Sequence, residues 1–208
     1  MKFQINSSFF QFMNTLATFI GLNVLFLLLC FPIITIGPAI TALYATTMQE
    51  ARQEYSSVFS TFFKAFKKNF VQSTCAFFLH LFLMLIFLFN AFFWGNQGSL
   101  LGLLLLLVMT LAILITIISF SYTFPLIARF QNSLKQTLKN SILISLLHQK
   151  QTFCIIGIQL FAIIICFVIP QAKVFMIFLG FAFFAYCNSF FFIRVFSQYE
   201  TQQEVQKQ

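Results

Sequence analysis

Two long stretches of this chain, Phe3 to Gln49 and Asn69 to Ala128, contain no Asp, Glu, Lys or Arg. A surface in contact with water needs charge, and soluble domains carry about 25% charged residues. Here 8% of residues are charged, 60% are hydrophobic and 34 are Phe. These facts exclude a soluble globular domain and point to the lipid bilayer. One crossing of the hydrocarbon core takes about 20 apolar residues in a helix. A chain of 208 residues therefore has room for roughly four to six crossings and no separate soluble domain. The expectation is an all-α, polytopic transmembrane bundle forming one domain over residues 1–208.

Five spans are expected, at about 15–36, 73–94, 101–122, 152–169 and 174–196, followed by a polar, frayed tail over 197–208. Lys2 is followed by a polar-aromatic stretch, and the apolar run from Leu16 is long for a signal peptide, so it reads as a retained span. Span 1 meets Phe31-Pro32 and then Gly37-Pro38. Proline lacks a donor and clashes one turn back, which predicts a kink near Pro32 and a break at Gly37-Pro38. Pro38 then suits the first turn of a new helix, about Ala39 to Tyr55, that leaves the membrane. Between spans 2 and 3, Gly95 to Gly98 form a short turn, which makes these spans an antiparallel hairpin.

Two connections have amphipathic character. In Ser56 to Gln72, Phe59, Phe62, Phe63, Phe66 and Phe70 recur at helical spacing, with Lys64, Lys67 and Lys68 largely on the other side. In Phe130 to Leu147, Leu134, Leu138, Ile142 and Leu146 form a stripe, with Lys135 and Lys139 off it. Such a helix lies in the membrane interface or packs under the bundle. Each connection follows a Phe-Pro pair, Phe31-Pro32 or Phe124-Pro125, which resembles a weak internal repeat of a kind some transporters use. Ordinary membrane topology could also produce it.

Charge predicts orientation. Arg52, Lys64, Lys67, Lys68, Arg129, Lys135, Lys139, Lys150, Arg194 and Lys207 fall on one side of a five-span chain, against Lys2 and Lys173 on the other. Positive residues collect in cytoplasmic loops, so the C-terminus is expected in the cytoplasm and the N-terminus outside. The net charge of +8 is then a topological signal, and no nucleic-acid partner is expected.

The residues argue against several chemistries. The chain has no Asp, and Glu50, Glu54, Glu200 and Glu204 lie outside the expected spans. A carboxylate inside the membrane, which ion-coupled transporters commonly use, is missing. The sequence has no HExxH and no P-loop. Cys30, Cys75, Cys154, Cys166 and Cys187 lack metal or disulfide spacing and read as apolar fillers. No catalytic residue, metal or cofactor is expected. His80 is the ionisable side chain placed well within a span; bonding to a neighbouring helix is the plain reading and a proton relay the alternative. Asn23, Asn90 and Asn188 are explained by interhelical hydrogen bonds, His148 by solvation and Arg194 by snorkelling. A helix broken at Thr35-Ile36-Gly37-Pro38 is either a structural corner or an irregular segment lining a cavity.

Leu22-Asn23-Val24-Leu25-Phe26, Pro32-Ile33-Ile34-Thr35-Ile36-Gly37-Pro38-Ala39 and Thr41-Ala42-Leu43-Tyr44 together resemble the N-terminal signature of the YesL-like family, also labelled as a domain of unknown function, DUF624. Phe62-Phe63-Lys64-Ala65-Phe66-Lys67-Lys68-Asn69-Phe70 is similar to that family's first cytoplasmic helix. Phe124-Pro125-Leu126-Ile127-Ala128-Arg129-Phe130, with Lys135-Gln136-Thr137-Leu138-Lys139-Asn140, resembles its second motif. The resemblance implies a bacterial plasma-membrane protein, in a family that has no established activity and is often encoded beside carbohydrate ABC-transporter and two-component genes. Three functions are weighed. One is a non-enzymatic accessory subunit docked on ABC permease subunits or a sensor kinase, with Gly37, Ala39, Thr41, Ala42, Ala45 and Thr46 allowing close helix contact. The second is a small-solute permease. The third, a membrane enzyme, lacks an embedded nucleophile, base or metal ligand.

Overall fold

The computed structural model describes residues 8–54 and 57–205. Lys2, Lys207 and the Tyr55-Ser56 boundary lie outside the described residues. The elements are α1 (Ser8–Cys30), a 3-10 turn (Ile33–Thr35), α2 (Ile36–Ala51), α3 (Val58–Lys68), α4 (Phe70–Gly95), α5 (Leu100–Arg129), α6 (Leu134–Leu147), α7 (Gln149–Val168), α8 (Ala172–Phe175), a π-helical turn (Met176–Gly180) and α9 (Phe181–Val205). Among the described residues there is no strand.

Four helical stretches are long and apolar enough to cross a membrane: Phe70–Gly95, Leu100–Arg129, Gln149–Val168 and Ala172–Glu200, with Thr15–Cys30 as a shorter apolar helix. The burial pattern supports the same reading independently. Phe82, Phe92, Phe153 and Phe167 face outward, while Asn23, Thr41, Thr47, Ser73, Thr123, Ser141 and Ser189 are buried. Water would favour the reverse; lipid tolerates apolar side chains outside and forces polar groups to find partners inside. The chain is a multi-pass membrane protein built as an all-α bundle.

The structure moves several expected boundaries. Span 1 ends at Cys30, and the chain turns at Phe31-Pro32 and through the 3-10 turn, so the break precedes Gly37-Pro38. Pro38 does fall in the first turn of α2, where its missing N–H leaves no helical bond unmade. Span 3 does not stop before Pro125: α5 continues through it to Arg129. The first amphipathic stretch divides at Asn69, and its last residues belong to α4. The segment before Leu134 is not helical. Beyond Phe196 the tail remains helical to Val205.

The largest departure is α2. It does not leave the bundle: ten of its sixteen residues are buried, and it packs against α1, α3, α4, α5 and α9. Pairs along the helices give its direction. Phe19 meets Tyr186 and Phe26 meets Phe181, so α1 runs antiparallel to α9. Thr47 pairs with Ser189 and Arg52 with Glu200, so α2 runs parallel to α9. α1 and α2 therefore form a helical hairpin closed at Pro32. The small residues Gly37, Ala39, Thr41, Ala42 and Thr46 are buried within the chain and Ala45 is half-buried, so this stripe serves internal packing and does not present a face to a partner.

The resemblance between the two Phe-Pro connections does not extend to their environments. Phe31 is 92% exposed at the hairpin corner, whereas Phe124 is 1% exposed and Pro125 is buried inside α5. A largely buried helix, α2, follows the first pair, whereas α6, which follows the second, has four buried residues. An aromatic series ties the centre together: Tyr44 and Tyr122 each meet Phe192 edge-on, and Phe192 stacks on Phe196.

Candidate functional site

The corner after α1 is built from local necessity. Ending a helix leaves carbonyls unpaired, which is costly in lipid. The Thr35 hydroxyl reaches the carbonyls of Leu29 and Pro32, and the Thr74 hydroxyl donates to the Ile34 carbonyl at 3.2 Å. Gly37 allows α2 to lie against the α4 backbone: a Cβ added there would stand 2.9 Å from Phe77 Cβ and closer still to the Ser73 carbonyl oxygen. One turn on, the Thr41 and Ser73 hydroxyls are 2.8 Å apart. Pro32, Thr35, Gly37 and Pro38 thus form a structural corner in which the carbonyls of Leu29, Pro32 and Ile34 find partners.

Asn23 has a comparable role on α9. A π-helical turn disturbs the i→i−4 ladder and frees backbone groups. The Asn23 amide donates to the carbonyls of Met176 and Ile177 at 3.0 and 2.7 Å, and its oxygen accepts from the Ala182 N–H at 2.9 Å. His80 is likewise satisfied. Its Nδ1 donates to the Ala76 carbonyl at 2.8 Å, which leaves Nε2 to accept from Ser119 Oγ at 3.1 Å, and Ser119 lies 2.8 Å from Ser141 Oγ. This series joins α4, α5 and α6, in keeping with the plain reading of a lone histidine.

Two other polar expectations are corrected, and that for Asn188 holds on one side only, since its side chain meets the Tyr44 hydroxyl across helices. Asn90 bonds within its own helix, to the Ile86 carbonyl. His148 is half-buried and bonds Tyr199 at 3.0 Å, so it docks α9 and is not simply solvated. Asn188 is buried, yet its side-chain oxygen has no hydrogen-bond partner.

Asn188 belongs to a cluster that spacing alone did not reveal. The Tyr44 hydroxyl sits against the side chains of Asn188 and Gln159, and Ser121 Oγ donates to Gln159 Oε1 at 3.0 Å. Four helices, α2, α5, α7 and α9, contribute one member each. All four residues line a cavity of about 590 Å³ whose other walls are apolar. Ser121, Gln159 and Phe120 also border a second cavity, of about 320 Å³, that reaches His80. The available sequence signal was Gln159, a lone amide in the middle of an apolar span.

At the end of the bundle where α2, α5 and α9 finish, Glu200 holds two arginines. Arg52 donates to its carboxylate at 2.9 and 3.2 Å, and Arg129 grips both oxygens from the other side. Bidentate guanidinium-carboxylate pairs are among the stronger polar contacts, and each arginine also complements the negative end of its own helix. Arg129 was expected at the inner end of a span; its carboxylate partner was not foreseen. Around this clamp, Lys64, Lys67 and Lys68 on α3 and Lys135 and Lys139 on α6 are all exposed, while Phe62 of α3 is fully buried. α3 therefore packs on the bundle through its aromatic side, and Gln72 of α4 bonds the Asn132 carbonyl beside α6. Phe124 and Pro125 are packing groups next to the clamp.

The family described as Protein of unknown function, DUF624, matches residues 19–91, which include α2, α3, the corner and His80. Over this part the chain is similar to that family, and the YesL-like resemblance read from its motifs is consistent with it. No curated protein and no solved structure matches the chain.

Proposed function

We propose that this chain is a non-enzymatic accessory or regulatory subunit of the bacterial plasma membrane, associated with carbohydrate ABC uptake or sensing. The observation that carries the reading is the basic platform: five exposed lysines on α3 and α6, beside helix ends tied together by Glu200. A surface held rigid in this way loses little entropy on docking, and positive charge selects and steers an acidic partner. The link to sugar uptake comes from the family resemblance alone. The partner is an ABC permease subunit or a sensor kinase, and affinity purification from native membranes in a mild detergent tests it. Near-stoichiometric recovery of either supports the proposal; recovery of this chain alone overturns it.

The positive residues support a cytoplasmic position for the clamp and for the Val205 end of α9. Since α1 runs antiparallel to α9, the Ser8 end of α1 is proposed on that same side, in place of the outside N-terminus expected from five alternating spans. Reporter fusions at both ends check this, and opposite locations would refute it. A second reading, a small-solute permease, is favoured by the polar cluster of Tyr44, Ser121, Gln159 and Asn188 inside the bundle. Solute flux into liposomes holding this chain alone would decide for it.

A further inference from the structure

The cavity between α2, α5, α7 and α9 has three properties that together define a ligand. Its volume, about 590 Å³, falls within the range of about 300–1,000 Å³ that small-molecule sites occupy. Its walls are apolar except for Tyr44, Ser121, Gln159 and Asn188, all neutral. Its exposed lining residues include Ile163, 54% exposed, and Phe167, 84% exposed, on a helix apolar enough to cross a membrane. The cavity therefore opens sideways to lipid.

A charged head would be expensive in this setting, because no charged side chain lines the cavity to pair with it. A wholly apolar molecule would leave the Asn188 oxygen as it is, buried and without a partner. Asn188 lines the cavity and its terminal torsion has a broad range, so this oxygen can turn to meet a ligand donor. A hydroxyl answers the cluster best, since it donates to an amide oxygen and accepts from a phenol or an amide N–H. From this geometry we infer that the cavity is a binding site for a neutral, hydroxyl-bearing lipid drawn from the surrounding bilayer, its head on the Tyr44–Gln159–Asn188 cluster and its tail along the apolar wall. The site is independent of any partner subunit and of whether a solute crosses the membrane.

The test uses the full chain in phosphatidylcholine nanodiscs doped with 1-monooleoylglycerol or with methyl oleate, which has the same tail and no hydroxyl. Native mass spectrometry reads the lipid retained per chain on release. The site predicts one retained monooleoylglycerol, held about ten-fold better than methyl oleate, the factor expected when a buried acceptor gains or loses its donor. Ala162→Phe, which adds a ring to the cavity wall one turn from Gln159, should abolish retention of both. Asn188→Leu should reduce monooleoylglycerol to the level of methyl oleate. Equal retention of the two lipids would mean that hydrocarbon merely fills the space, and would overturn the proposal. Retention unchanged by Ala162→Phe, or no retention by the wild-type chain, would overturn it equally. If Asn188→Leu fails to fold, the two lipids and Ala162→Phe still decide the matter.

Discussion

Replacing Gly37 by alanine adds one methyl group at the point where α2 touches α4. That methyl would stand 2.9 Å from both Phe77 Cβ and the Ser73 carbonyl carbon, and nearer still to the Ser73 oxygen. Backbone atoms cannot rotate away as a side chain can, so the two helices must separate by roughly 0.6 Å for the carbon contacts to reach about 3.5 Å, and by more to relieve the Ser73 oxygen. Overpacking of this kind costs about 1–3 kcal/mol. The Thr41–Ser73 hydrogen bond, 2.8 Å in the wild type, lies beside the strained contact, and its loss adds about 0.6 kcal/mol. The sum is about 2–4 kcal/mol, which for a chain of this size corresponds to a fall in Tm of about 4–16 °C. Thermal unfolding of the detergent-solubilised protein, followed by size-exclusion chromatography of heated samples, measures it. Gly157→Ala is the control, because the added Cβ there meets no atom of another helix within 4 Å. Removing a glycine from a helix interior should raise stability by about 0.5–1 kcal/mol. If Gly37→Ala melts no lower than Gly157→Ala, the close approach at the corner is not a constraint and the reasoning fails.

The Glu200 clamp should respond to charge and salt. Glu200→Gln should cost about 1–2 kcal/mol and expose the end of α9 to protease, whereas wild-type stability should fall with added NaCl and that of the variant should not; equal salt dependence in both would refute the clamp. Asn23→Leu should free the carbonyls of Met176 and Ile177 and the N–H of Ala182, speeding amide hydrogen exchange around the π-turn; unchanged exchange there would contradict the pairing. Ser119→Ala should strip His80 Nε2 of its partner at a cost of about 1–3 kcal/mol, while Ser141→Ala leaves that bond intact. A larger loss of Tm for Ser141→Ala than for Ser119→Ala would reverse the assigned order.

The helical bundle could be read directly from the chain. Long runs without charge must cross lipid as helices, since no other open structure satisfies its own backbone there. The turn at Gly95 to Gly98 was also legible, and Gly98 adopts φ +59, which favours glycine. The path of α2 was not. Its run from apolar Ile36 to Glu50 and Arg52 resembles an exit into water, yet Thr41, Thr46 and Thr47 bond neighbouring carbonyls and hydroxyls and lie in the core. Hydropathy scores a threonine as polar whether it meets water or another helix, so the pattern could not separate the two. Periodicity likewise gave α3 its aromatic face but not which ring would be buried.

The candidate site follows the same division. Sequence alone determined that the chain is a multi-pass helical membrane protein with its positive charge concentrated in two connections, because those properties depend on lengths and composition. It also singled out Gly37, Asn23, His80 and Arg129 as residues that need a structural reason. Only the tertiary structure decided that α1 and α2 turn back on each other, that Glu200 joins Arg52 to Arg129, and that Tyr44, Ser121, Gln159 and Asn188 share one cavity. Tyr44 and Asn188 are separated by most of the chain, and a cluster drawn from four helices has no spacing rule. Its members become neighbours only when the helices choose their rotations and partners, and in lipid that choice is made by packing and interhelical hydrogen bonds between residues far apart in sequence.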